Sequence, residues 1–215
     1  MAPANDRTQT KKIEILKSAA AAFRRQGYHG ASMGEISRAV GMTKGNLYYY
    51  FRNKEAILFF CHEYSLGILL ARLRAVQASR ARADVKLRRL IVAFVHMILD
   101  ELHGTALTMD LSALEPAHLE TVIAKRDLFD RGIRRIIEQG MKAGTFAQGD
   151  PKLLTFAILG AANWITRWYD PEGAASSDRI AESFAAFLLA GLRGCGGDSG
   201  RVAVGIRRRR RPSSS

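Results

Sequence analysis

Apolar residues recur along this chain at steps of three and four, the period of an α-helix, and no stretch alternates cleanly with period two. A first helix is predicted over Thr8 to Gln26, with Ile13, Leu16, Ala20 and Phe23 on one face and Gly27 ending it. Ser32-Met33-Gly34-Glu35 reads as a capping box, a hydroxyl and a carboxylate three residues apart that satisfy orphan backbone donors. A short helix then turns Met33, Ile36 and Val40 inward. Gly41 stops it, and Thr43 caps the next, Lys44 to Tyr50. Longer amphipathic segments follow over Lys54 to Arg80, Asp84 to His103, a short piece over Ala106 to Ala113, then Ala117 to Ala143, Pro151 to Tyr169, and Ser176 or Ser177 to Gly194. The expectation is an all-α fold of about nine helices, without repeats or long linkers.

Val40-Gly41-Met42-Thr43, joining two short helices, is the pattern of a DNA-reading helix-turn-helix. Leu47 and Phe51, spaced by four, are its inward anchors, leaving Thr43, Lys44, Gly45, Asn46, Tyr48, Tyr49 and Tyr50 for the outside. Three consecutive tyrosines span about 200° of a helix, so they cannot all face one core. Tyr48 is expected outward, and Tyr49 or Tyr50 partly packed. Gly34, a weak helix former inside the second helix, has no account at this level.

Charge sharpens the division. Residues 1–60 hold 10 basic and 4 acidic side chains, residues 61–195 hold 17 and 15, and residues 196–215 hold 6 and 1, within a net charge of +13 over 215 residues. A nearly neutral body thus carries a basic head and a basic tail, and concentrated positive charge suits a phosphate surface. The expected domains are a DNA-binding head over 1–52, an effector-binding and dimerising body over 53–195, and a disordered tail over 196–215 with five arginines, Arg207 to Arg211. Cys61 and Cys195 lack CxxC partners and suit a reducing cytoplasm. The start shows no apolar leader, and the apolar stretch Leu153 to Ile165, 13 residues, is too short to span a bilayer, so no membrane partner is expected. No GxSxG elbow, Walker loop, HExxH or strand-borne GxGxxG argues for an enzyme. A protein that coats DNA without sequence choice would suit the tail but leave the large neutral body unexplained.

The segment Ile15 to Leu58, including Gly-Tyr-His-Gly-Ala-Ser-Met-Gly-Glu-Ile-Ser and Gly-Met-Thr-Lys-Gly-Asn-Leu-Tyr-Tyr-Tyr-Phe, closely resembles the DNA-binding domain of TetR-family repressors. The resemblance implies an all-helical homodimer on a palindromic double-stranded operator, released by a small effector. By position it implies DNA contacts at Thr43, Lys44, Asn46, Tyr48, Tyr49 and Tyr50, and a phosphate held by Lys54. Family members often carry histidine where Tyr50 stands here.

Dimerisation needs a wide apolar face. The last two helices offer Leu154, Ile158, Ala161 and Ile165, and Ile180, Phe184, Phe187, Leu188 and Leu192, at helical steps. In the family these helices build a four-helix bundle; on the residues alone they serve equally as protomer core. Asn163 to Gly173, with Lys125-Arg126-Asp127 and Gly140 to Phe146, resembles the subset of these repressors that answers to coenzyme A thioesters. Such an effector asks for an apolar pocket and phosphate-binding cations. Candidate lining residues are Phe94, Met97, Leu107, Met109, Trp164 and Trp168, with Arg126 and Arg167 as cations. Trp164 and Trp168, one helical turn apart, equally fit a dimer interface. The run Arg72, Arg74, Arg80, Arg82, Lys86, Arg88, Arg89 fits a solvated face or a nucleotide phosphate. His96, Asp100 and His103 have spacing that permits a metal but lack a fourth ligand, and no metal or cofactor is expected.

Overall fold

Most helices here begin at a side chain that accepts a hydrogen bond from the first turn. Ser32, Thr43, Asn53, Asp150 and Ser176 each cap a helix in this way. The computed structural model describes residues 4–101 and 111–194. Within them lie α1 (Ala4–Gly30), α2 (Met33–Ala39), α3 (Lys44–Tyr50), α4 (Lys54–Ala78), α5 (Ala83–His96), α6 (Pro116–Lys142), α7 (Pro151–Trp164) and α8 (Ser177–Arg193), and no strand. The all-α expectation holds. His103, Leu107, Met109, Cys195 and the tail over 196–215 lie outside the described residues.

Several boundaries differ from the periodic pattern. α1 continues in name to Gly30, but Gly27 takes φ 72°, a left-handed value that breaks the helix where the sequence placed its end. α5 gives way after His96 to a π-helical turn, Met97–Glu101. α7 tightens into a 3-10 turn, Ile165–Arg167, where the Thr166 hydroxyl donates to the Asn163 carbonyl at 2.9 Å.

α1 and the two short helices α2 and α3 make the head, and α4 joins it to the body. α1 packs on α2 and α4, and α2 on α3. In the body α4 packs on α5 and α6, α5 on α8, and α6 on α7. Their shared core includes Leu69, Leu73, Leu87, Phe94, Phe129, Ile137, Ile158, Ile165 and Ala185. Two glycines permit the close approaches. A Cβ at Gly132 would sit 2.3 Å from Leu73, and one at Gly140 would sit 2.1 Å from the buried Phe146 ring. α4 is the one described helix long and apolar enough to cross a bilayer, yet most of its large apolar residues are buried within the protein.

One buried group makes the fold sensitive to acid. His62 of α4 is wholly buried, and neither ring nitrogen has a hydrogen-bond partner among the described residues. Burial, assisted by the Arg126 charge, holds its pKa down to about 3, against 6.5 for a free imidazole. Below pH 6.5 the unfolded chain therefore binds a proton that the folded chain refuses, and stability falls as pH falls. Between pH 7 and pH 5 this one group removes about 2 kcal/mol. Urea unfolding of His62→Leu should show that much less pH dependence over the same interval; parallel curves for the two proteins would contradict the assignment.

Candidate nucleic-acid interface and effector cavity

α3 is fixed from behind and open in front. Leu47 is fully buried and Phe51 nearly so, while Thr43, Lys44, Gly45, Asn46, Tyr48 and Tyr49 are exposed. Tyr48 is 51% exposed and Tyr49 79%. Tyr50 is half-buried and meets the Tyr49 ring edge-on, centroids 5.1 Å apart, so Tyr50 is the partly packed member of the three. The Thr43 hydroxyl accepts from the Asn46 N–H at 3.2 Å, which caps the start of α3. Before it, Gly41 takes φ 70°, a conformation that lets the chain turn between α2 and α3.

The unexplained Gly34 now has a role. A Cβ there would sit 2.8 Å from the Lys44 side chain, so glycine lets the Lys44 stem lie across the start of α2. A glycine just after a capping serine was the available signal, but its partner in space was not readable from spacing. The capping box is present in full: Ser32 N–H donates to Glu35 Oε2 at 2.8 Å, and Glu35 N–H donates to Ser32 Oγ at 3.2 Å. Those Ser32 bonds hold the Glu35 carboxyl below its usual range.

Lys54 takes a position that its implied phosphate role does not describe. Its ammonium donates to the carbonyls of Tyr28 at 2.6 Å, His29 at 3.3 Å and Ala31 at 2.8 Å, and lies 4.4 Å from the centroid of the Tyr28 ring. All three N–H donors are thus engaged within the protein. Burial lowers its pKa, against the opposing pull of Glu35.

The residues expected to line one effector site divide among three places. Phe94 and Arg126 share a cavity of about 170 Å³ with Leu66 and Leu69 of α4, Asp127, Phe129 and Asp130 of α6, and Leu159 and Asn163 of α7. Phe94 stacks on Phe129 at 5.9 Å, and the buried Asn163 Oδ1 has no hydrogen-bond partner among the described residues. Burial lowers the Arg126 pKa. Met97, by contrast, faces a separate groove of about 560 Å³ between α4 and α5, with Arg72, Arg88, Arg89 and His96 along it. There Arg88 is paired with Glu182, and His96 lies 2.7 Å from Asp100 and 3.3 Å from Asp178. Trp164, Arg167 and Trp168 are on the outer surface, with Trp164 65% exposed, and they line neither space.

The expected dimer face also needs correction. Ile158, Ile165, Ile180 and Leu192 are buried inside the protomer, so their side chains cannot meet a partner. Packing of α8 on α5 and of α7 on α6 uses that stripe. Leu154, Ala161, Phe184 and Leu188 are half-buried, and Phe187 is 79% exposed. The outward apolar positions are Leu153, Phe156 and Trp164 on α7 with Phe187 on α8, and Trp168 after α7, stacked on Phe184 at 6.2 Å. Sequence reading missed Leu153 and Phe156 because α7 is apolar on both sides, so periodicity could not choose between its two stripes.

Comparison with known proteins places this arrangement. The model described as bacterial regulatory proteins, tetR family, matches residues 15–59. A second, described as the tetracyclin repressor-like C-terminal domain, matches residues 80–192, more than half of the chain. The HTH-type transcriptional repressor KstR2 of Rhodococcus jostii (strain RHA1) is 26% identical over 199 residues, covering 88% of this chain and 96% of that protein. A TetR-family regulator of known structure, PfmR from Thermus thermophilus, superposes with a TM-score of 0.73 at 28% identity, covering 81% of this chain and 96% of that one. AibR, solved in complex with isovaleryl coenzyme A and operator DNA, gives 0.71 at 26% identity, covering 83% and 98%. With an exposed recognition helix ahead of a helical body and both family models matched in order, the chain belongs to the TetR family of bacterial regulatory proteins, helix-turn-helix transcriptional regulators rather than enzymes.

Proposed function

We propose that this chain is a cytoplasmic repressor that binds a palindromic operator as a homodimer and leaves it when a coenzyme A thioester occupies the body. The observation that carries the DNA reading is α3 itself, with Leu47 wholly buried behind and Lys44, Asn46, Tyr48 and Tyr49 exposed in front. An amine, an amide and phenol hydroxyls on one short helix suit phosphates and base edges in a major groove. Thr43 and the half-buried Tyr50 flank that surface. Lys54 serves it indirectly, by holding the head in place. A two-fold dimer sets two such helices about 34 Å apart, one per half-site.

The effector reading rests on the Phe94–Arg126 cavity. At about 170 Å³ it is smaller than the roughly 300–1,000 Å³ of drug-sized sites, so it suits a short acyl group with the nucleotide left outside. The Arg126 guanidinium on its wall can donate to a thioester carbonyl. That a solved relative holds isovaleryl coenzyme A supports the same class. Arg167 is exposed and does not line this cavity, so it takes no part in holding the acyl group. The small cavity, with Arg126 set beside Leu66, Leu69, Phe94 and Phe129, also suits a short apolar acid without coenzyme A, and that is the second reading. Because α4 lines the cavity with Leu66 and Leu69 and begins at the head, an effector that favours one tilt of α4 shifts DNA affinity. DNA then weakens effector binding by the same factor.

Three measurements test these assignments. Tyr48→Ala should weaken operator binding by about tenfold or more while native mass spectrometry still reports a dimer; an unchanged affinity would remove Tyr48 from the contact surface. Phe187→Asp, a charge placed on the outward apolar strip, should yield folded monomers that no longer bind the operator, and a stable dimer in that variant would place the interface elsewhere. In a gel-shift titration isovaleryl coenzyme A should release the operator from the wild type and only poorly from Arg126→Ala. Release by isovalerate alone would favour the second reading, and identical release from both proteins would remove Arg126 from the site.

A further inference from the structure

Where head meets body, a set of donors stands that neither DNA reading nor effector entry accounts for. Glu55 is in the first turn of α4; Glu115 is the cap residue of α6, and His118 lies in its first turn. Each brings one ligand atom to a common point, the three atoms lying within 4.8 Å of one another. Glu55 is more than nine-tenths buried. Its Oε1 accepts from the Glu115 N–H at 3.2 Å and lies 2.7 Å from His118 Nδ1. Its Oε2 is also buried and has no hydrogen-bond partner among the described residues. A buried carboxylate oxygen with no donor is unfavourable, and a cation would satisfy it. The His118 ring is held flat against Phe59, centroids 3.8 Å apart, so its orientation is set by packing. Glu115 is exposed and pairs with Arg52 at 3.0 Å, a contact at the surface that yields readily to a stronger ligand.

We propose that Glu55, Glu115 and His118 bind a divalent transition-metal ion of the zinc type at the head–body junction. Two carboxylate oxygens and one imidazole nitrogen are a donor set that Zn²⁺ accepts, with water completing the sphere. Ligands about 2.1 Å from a shared ion stand roughly 3.4 Å apart in a tetrahedron, so modest rotation of the Glu115 and Glu55 carboxylates closes the present spacing. The ion takes the place of the proton between His118 Nδ1 and Glu55, and Glu55 Oε2 gains its missing partner. Two carboxylates balance the ion's charge once Arg52 has turned away. Bound there, the ion ties the start of α4, which follows α3 directly, to α6 in the body. The site is independent of the effector reading.

The test uses the full-length chain, stripped with a chelator and titrated with Zn²⁺ against a chromophoric competitor. One ion per chain is expected, and Co²⁺ in its place should give visible d–d absorption. His118→Ala and Glu55→Gln should each weaken uptake by about tenfold or more, while His96→Ala and Cys195→Ser leave it unchanged. Circular dichroism establishes which variants are folded. If Glu55→Gln fails to fold, His118→Ala, at a partly exposed position, decides alone. No uptake at submillimolar Zn²⁺, uptake that persists in a folded variant of either ligand, or uptake lost instead in His96→Ala or Cys195→Ser overturns the proposal.

Discussion

The clasp of Lys54 on the carbonyls of Tyr28, His29 and Ala31 is the contact on which the rest of the arrangement depends. A cation set against the last carbonyls after a broken helix satisfies acceptors that the helix cannot, and its charge suits the negative end of the peptide dipoles. Here it also joins two elements far apart in sequence, the end of α1 and the start of α4. Leu47 and Phe51 anchor α3 in the same core as α1 and α4, with the Phe51 ring 5.5 Å from that of Phe60 on α4. The orientation of the recognition helix relative to the body therefore follows from α4, because α4 is the element that belongs to both.

Local chemistry was highly legible. The Ser32–Glu35 capping box, Gly41, the Thr43 cap and the span Lys44 to Tyr50 stand as the pattern of residues placed them. These features involve neighbours a few residues apart, and backbone geometry relates such neighbours directly. The exposed front of α3 was equally readable, since two anchors at a spacing of four leave little choice for the remaining positions.

What sequence reading missed lay in contacts between distant segments. Nothing near Lys54 announces that its partners are 23 to 26 residues upstream. Met97 and Phe94, three residues apart on α5 and the turn that follows it, open onto different spaces: α4 borders both, but α6 and α7 help wall the first and not the second. On α7 the apolar spacing was correct and the choice of stripe was not, while on α8 the expected face mixed core and outward positions. Ile158 and Ile180, expected on the dimer face, went to the core; Phe156, not expected there, was left outside, while Phe187 stands outward as expected. A helix whose composition is apolar on two sides gives no one-dimensional signal of which side meets its own protomer.

α4 runs without interruption for 25 residues. The cavity residues Leu66 and Leu69 stand 12 to 15 positions beyond Lys54, about 20 Å along a helix rising 1.5 Å per residue. A rod of that reach acts as a lever: a pivot of about three degrees near the cavity carries its far end by about 1 Å. The transmission is only as good as the rod is stiff. Gly67, exposed where a side chain would meet nothing, lies between Leu66 and Leu69 and so sits at the pivot, while the stretch from Lys54 to Leu66 holds no glycine or proline to soften the arm. A bend at Gly67 therefore swings the whole arm at its cavity end, and the arm between that point and the head has no comparable soft position.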